Sequence, residues 1–427
     1  MRSVAIVAPI SLALIVTLPC CNRCSSSTVD APDASEVEPP EVVEVDVLPP
    51  PAAWKFEPVR LGPTFLGPAL PPGCSMREPL VRAKVRASTR FVAASSALGS
   101  LVIADADTAE TPPRLTGVAA FELDPAGTSS KPFAVPWTEA TAMPRLARTN
   151  TGAWIAAYSE PTADKLSKVF VFQNNAATSI GEGESFDAID SSCNGDVCVL
   201  LTTRLAKVSA PGADVWMGKP NESVTSWRRH EIVPQAGDSD ARPSCIARLD
   251  VVATDADAGG RSEPVVGLFE ASDLVFWGVG SADKPRELGR VPAPHGIVDA
   301  TVLGRPVALV YGAPVDDDGC AKQGGIMRFS RLGAPDVDVR APAPATSGAL
   351  RPLARGGLAT YIAPIECRAA RKVVYAVVLG EDGAPTSAPM PVGDASSFAV
   401  TTQGDNVDLW IQRDDDVVWI RATCAAP

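Results

Sequence analysis

The side chains able to do chemistry in this 427-residue chain are ten cysteines, two histidines and 50 carboxylates set against 38 basic residues. Spacing decides what each could do. Cys193 and Cys198, in "SSCNGDVCVLL", have no histidine nearby. A structural zinc needs four ligands, and a redox pair favours C-x-x-C. The pair therefore reads as a hairpin staple; the alternatives are separate bonds to distant cysteines, or metal or redox use. Register decides between them. A four-residue Asn-Gly-Asp-Val loop puts the two cysteines face to face, whereas a two-residue Asn194-Gly195 turn sets Cys193 against Asp196 and Cys198 against Ser191. A bond closing so short a loop contributes about 2 kcal/mol by chain entropy. His230, in "SWRRHEIV", and His295, in "APAPHGIV", have no G-x-S-x-G or H-E-x-x-H beside them and read as structural. The net charge of −12 disfavours nucleic acid, whose binding rests on Lys and Arg neutralising phosphates.

One acidic cluster carries a motif. "TDADAGGRSEPVVGLF" resembles the calcium loop of FG-GAP and VCBS propeller repeats over about a dozen residues, with Asp255, Asp257, Gly260 and Glu263 in the matching positions ahead of an apolar strand. Gly259 stands where those repeats place a further carboxylate, so the resemblance implies calcium at Asp255, Asp257 and Glu263 only if water or backbone oxygens complete the shell. The plainer reading is a solvated turn, and no other cofactor is expected. The tips "VDDDGC" and "RDDDVVW" read as solvated loops.

Where the chain lives bears on every cysteine. Arg2 followed by the apolar run Val4 to Leu18 has the layout of an export signal and is short for a bilayer span. "TLPCC" resembles the end of a bacterial lipoprotein signal, with Leu18 three places before Cys21; that resemblance implies cleavage after residue 20 and a lipid on Cys21. Cys20 departs from it, standing where the family prefers Gly or Ala, and an ordinary cleaved signal is the alternative. Residues 21–72 follow as a disordered tether: "DAPDASEVEPPEVVEVDV" holds seven acidic and no basic residues among its prolines, too little apolar surface to fold. Outside the cytosol, cysteines point to disulfides.

From about residue 73 to 427 one texture persists. Short Val-, Ile- and aromatic-rich runs such as "LVIAD", "WIAAY", "VCVLLT", "VALVY" and "VDLWI" each follow a turn glycine: Gly99, Gly152, Gly195, Gly260, Gly304, Gly357 and Gly404, spaced 43 to 65 residues apart. Third strands follow, including "VFVF", "LVFW" and "VVYAVVL". Apolar runs of four to seven residues bounded by Gly, Pro and Asp are strands. Three or four strands per unit at this period predict an all-β fold, a β-propeller of seven blades, with six or eight as neighbouring counts and two β-sandwiches as the alternative. Trp-Asp is absent, which argues against a WD40 array. "GGLATY" resembles a kelch start and "TNTGAW" a sialidase Asp-box, once each, and both read as hairpin turns. In a ring, a Cys74–Cys424 bond would join first unit to last. Cys320 and Cys367 occupy similar places in consecutive units and form a second expected pair, leaving Cys245 with Cys24.

These features predict a noncatalytic extracytoplasmic scaffold, monomeric, in the bacterial cell envelope or secreted, touching membrane only through its lipid and binding a protein or a surface polysaccharide. The rival is a glycan-active propeller, hydrolase or lectin, that uses carboxylates around its channel, since a carboxylate pair needs no histidine. Fold alone does not choose.

Overall fold

In a computed structural model the chain forms seven antiparallel sheets of four or five strands, and a single 3-10 turn is the sole helical element among the described residues. The structure describes residues 42–43, 54, 56–58 and 70–425, except 87–88, 108–114, 131–132, 136–142, 162–166, 174–175, 181–185, 205–212, 233–244, 254–261, 271, 281–283, 314–324, 342–344 and 368. All of these lie in one unit, Glu38–Pro427.

Each sheet is a blade built from consecutive strands, covering 91–134, 145–180, 186–232, 245–292, 297–341, 347–394 and 397–424. The first strand of each blade is innermost. These inner strands are Phe91–Ser96, Arg145–Arg148, Phe186–Asn194, Cys245–Ala253, Ile297–Leu303, Ser347–Pro352 and Ser397–Gln403, and each touches the next around a circle that closes from blade 7 back to blade 1. The fold is a seven-bladed β-propeller.

The two-sided apolar strands now have a reason. Seven hydrophobic clusters fill the seven gaps between neighbouring blades. Successive side chains on a strand point to opposite faces. Thus Leu101 and Ile103 enter the gap with blade 2, while Val102 and Ala104 enter the gap with blade 7. A blade needs apolar residues on both faces because it has a neighbour on both.

Blade 7 is completed from the other end of the chain. Its order is Phe56–Pro58, Cys74–Lys84, Asp416–Cys424, Asn406–Arg413, Ser397–Gln403, so a strand preceding blade 1 pairs with the last strand of the protein. Cys74 lies directly opposite Cys424 and the two form a disulfide, Cα–Cα 4.0 Å. Part of the stretch read as a tether also belongs to the body. Phe56–Pro58 pairs with Cys74–Lys84, and Val42–Val43 pairs with Ala176–Ile180 on blade 2. Trp54 is buried in the gap between blades 7 and 1, its ring 5.8 Å from Phe91 and 5.5 Å from Phe121.

The turn glycines sit at the hairpins joining first and second strands. Gly99, Gly152, Gly195, Gly304 and Gly404 all have positive φ; in blade 6 the turn residue is Gly356 at +67°, and Gly357 begins the strand, while Gly260 lies outside the described residues. At Gly99 (φ +128°) a Cβ would fall 2.0 Å from the Leu123 carbonyl oxygen, so the hairpin can tuck against the end of its own third strand only without a side chain.

Candidate functional site: the channel mouth

The inner strands run in one direction, so their last residues and first hairpins gather at one end of the ring. There they enclose a cavity of about 700 Å³. Its walls are small and polar: Ser95, Ser191, Asn194, Thr401, Thr402 and Gln403 among others, with no aromatic residue among the described lining. The charged groups there are Arg148, Arg351, Arg355, Asp190 and Glu381.

Six of these lining residues, Ser95, Arg148, Asn150, Arg351, Thr401 and Gln403, are engaged in joining blades. At the seam of blades 7 and 1, Asp408 Oδ2 accepts hydrogen bonds from Ser95 Oγ at 2.5 Å and Ser100 Oγ at 2.6 Å, and Ser95 Oγ lies 2.5 Å from Thr401 Oγ1. Arg421 Nε stands 3.4 Å from Asp408 Oδ1, its guanidinium over the Trp419 ring, and it donates across the seam to the Pro125 carbonyl. Between blades 5, 6 and 7, Asp299 accepts from the Leu350 N–H at 2.7 Å and from Arg351 at 3.0 Å, while Arg351 Nε donates to the Val400 carbonyl. Between blades 1 and 2, Arg148 donates to the Gly99 carbonyl and to Glu122 Oε1 at 2.7 Å. Burial pulls the Arg148 pKa below its ordinary value and the Glu122 carboxylate opposes that pull. Gln403 Nε2 donates to Asn150 Oδ1 at 3.2 Å, linking blades 7 and 2 past the first hairpin of blade 1.

The arrangement repeats one device. A buried aspartate within an otherwise apolar strand meets an arginine: Asp105 with Arg90 at 2.9 Å, Asp214 with Arg229 at 2.9 Å, Asp299 with Arg351 and Asp408 with Arg421. The aspartates are the buried members, so removing the arginine would leave a buried carboxylate short of its partner, and at Asp408–Arg421 both charges are buried. The sequence carries a signal for this that its motifs conceal: a lone Asp in "VDLWI" or "IVDATVL" has to find a partner, since an unpaired buried carboxylate is prohibitively costly. These residues are not part of any short motif because the partner is in another strand or blade.

The cysteine pair forms part of the mouth. Cys193 lines the cavity and pairs in register with Cys198, Asn194 opposite Val197, so Gly195-Asp196 makes a turn tighter than the four-residue loop. The two are disulfide-bonded with Cα atoms 4.1 Å apart. Cys367 is disulfide-bonded as well, to a partner outside the residues whose side chains are described. Cys21, Cys24, Cys320, Asp255 and Asp257 lie outside the described residues; Cys245 opens the inner strand of blade 4, and Glu263 lies in Ser262–Glu270 beside it, the side chains of both again outside the description. Among the described residues no group of three or more His, Cys, Asp and Glu could hold a metal.

His230 sits on the outermost strand of blade 3, opposite Val215, and His295 in the turn before Ile297–Leu303, so the two are not brought together at the cavity. Burial, and then the nearby Arg228, lower the His230 pKa. No helix among the described residues is long and apolar enough to cross a membrane. The disulfides point to an oxidising compartment.

No family model matches the chain, and no curated protein does. Solved structures similar to it include a subtype N10 neuraminidase-like protein of A/little yellow-shouldered bat/Guatemala/060/2010 (9% identity, 83% of this chain and 99% of that one, TM-score 0.45). Another is the β-propeller domain of the Trilobed protease from Pyrococcus furiosus (11%, 78% and 93%, 0.43). A third is the SapL1 lectin in complex with α-methyl fucoside (12%, 72% and 98%, 0.38). Likeness this distant carries no function across.

Proposed function

We propose that this protein is a noncatalytic propeller scaffold held outside the cytoplasm, anchored through a lipid on Cys21, whose channel mouth receives a protein segment or a cell-surface polymer. The observation that carries the reading is the engagement of part of the channel's polar wall. Ser95, Arg351 and Arg148 of the lining, with Asp408, Ser100 and Asp299 outside it, hold neighbouring blades together. A group so engaged is a strut, and moving it to serve a reaction would loosen a seam. What remains is a rigid, polar-walled concavity of a size suited to recognition.

The rival, a glycoside hydrolase or lectin working through channel carboxylates, draws on Asp190 of blade 3 and Glu381 of blade 6, the acidic residues of the lining. Glu381 is mostly exposed and lies 3.9 Å from Arg355, and the described walls offer no ring on which a sugar could stack.

Cross-linking in intact cells, followed by purification from the membrane fraction, tests the scaffold. A reproducible partner, protein or polymer, is expected. Recovery of the protein alone, together with glycoside turnover lost in Asp190→Asn or Glu381→Gln, would move the assignment to the rival.

A further inference from the structure

The outer strand of blade 2 differs in kind from the outer strands of the other blades. A strand at the rim of a sheet offers N–H and C=O groups to other chains, and folded proteins blunt it with charge, proline, bulges or brevity. Blade 1 ends in a strand of two residues, Phe133–Ala134, and blade 7 in Phe56–Pro58, which closes on proline. Blade 3 ends in Arg228–Ile232, where Arg228, Arg229 and Glu231 carry charge. Blades 4, 5 and 6 end in Arg286–Pro292, Ala334–Ala341 and Met390–Asp394. Each of these three holds a proline and at least one charged residue, and each slips register against the strand inside it.

Blade 2 has none of these devices. Ala176–Ile180 reads Ala-Ala-Thr-Ser-Ile, without charge, proline or glycine, and it pairs with Ser167–Gln173 through five successive residues without a slip. Ala177, Ser179 and Ile180 are buried, at 1%, 8% and 5% exposure, whereas the outer strands of blades 3, 4 and 6 bury one residue each. The strand is built like an interior one, which expects a neighbour on both sides. That neighbour is Val42–Val43, with Val42 opposite Thr178 and Val43 opposite Ala177. In the sequence, Pro39, Pro40, Glu41 and Glu44 flank it and supply the proline and charge that the edge lacks.

We propose that the outer edge of blade 2 is a pairing surface for a second copy of this chain, and that Val42–Val43 covers it. The composition of the edge names the partner. In an antiparallel, twofold pairing the strand meets itself, with Thr178 at the centre opposite its own counterpart, and a strand free of charge sets no like charges against each other. A five-residue ladder is small, so the pairing depends on concentration. The cover is only two residues long, but it belongs to the same chain and competes at an effective concentration on the order of millimolar. The covered protein is therefore a monomer, and removing the cover opens the edge. This surface lies on the outer rim, away from the channel mouth, and owes nothing to a lipid on Cys21; its failure leaves the scaffold reading as it stands.

Sedimentation equilibrium on the full chain, over a range of concentrations, tests the proposal. The wild type is expected to behave as one copy. The variant carrying Val42→Pro and Val43→Pro is expected to rise toward two copies as concentration increases. Trp54, Phe56–Pro58 and the Cys74–Cys424 bond are untouched in it. Adding Thr178→Lys sets like charges opposite each other and is expected to weaken the association at least about tenfold. Mixing the Thr178→Lys and Thr178→Glu forms of the uncovered variant is expected to restore it, since each charge then meets its opposite. That recovery separates specific pairing from aggregation of a misfolded variant. An uncovered variant that stays a single copy at every concentration, or an association indifferent to Thr178→Lys, overturns the proposal.

Discussion

The two disulfides make a controlled comparison inside one molecule. Each joins residues directly opposite on antiparallel strands, with Cα atoms 4.0 and 4.1 Å apart. They differ in what they enclose: Cys74–Cys424 spans 350 residues and Cys193–Cys198 spans five. By chain entropy the first is worth about 6 kcal/mol and the second about 2 kcal/mol. Local geometry is nearly the same, so the difference lies in topology. The clasp holds blade 7 complete and thereby closes the ring against blade 1; the staple holds one hairpin in place at the channel mouth.

The largest effect is therefore expected at the clasp. Replacing Cys74 and Cys424 together by serine is expected to remove about 6 kcal/mol of unfolding free energy in urea, against about 2 kcal/mol for the Cys193 and Cys198 pair. Equal losses would break the comparison. Asp408→Ala sharpens it without touching a covalent bond. It removes the acceptor for Ser95 and Ser100 and leaves Arg421 buried without its carboxylate, with an expected loss of about 3–4 kcal/mol in the same assay. A loss below about 1 kcal/mol would show that the clasp acts alone.

Hairpin glycines give the next step down. Gly99→Ala drives a Cβ into the Leu123 carbonyl and is expected to cost about 3 kcal/mol, whereas Gly195→Ala, with nothing within 4 Å, bears only the left-handed backbone penalty of about 1 kcal/mol. Thermal midpoints of the two variants check the order. The smallest effect belongs to His230. Its folded pKa is lowered, so the fold favours the neutral ring; that contribution is complete above the unfolded pKa of about 6.5 and declines as pH falls below it. Urea midpoints at pH 7.5 and pH 5 are expected to converge when His230 becomes Gln.

The fold was legible because its signals are local. A glycine turn, an apolar run on both faces and a repeat near 50 residues are all properties of neighbouring residues, and blades are built from neighbours. The shift from Gly357 to Gly356 in blade 6 is a one-residue error of the kind a Gly-Gly pair invites. The seams were not legible in the same way. Asp408 and Ser95 are 313 residues apart, Arg351 and Asp299 are 52 apart, and nothing in their spacing brings them together. Trp54 shows the complementary failure: within a proline-rich acidic stretch, one indole finds a gap between blades that composition cannot foresee.

Ring closure at the seam of blades 7 and 1 is thus the central claim, and hydrogen–deuterium exchange resolved by mass spectrometry tests it most directly. Exchange is compared between the wild type and the protein with serine at both Cys74 and Cys424. The inner strands 91–96 and 397–403 are predicted to lose protection first, while the hairpin around Cys193 and Cys198 keeps its own. Uniform loss across all seven blades, or an unchanged seam, would contradict it.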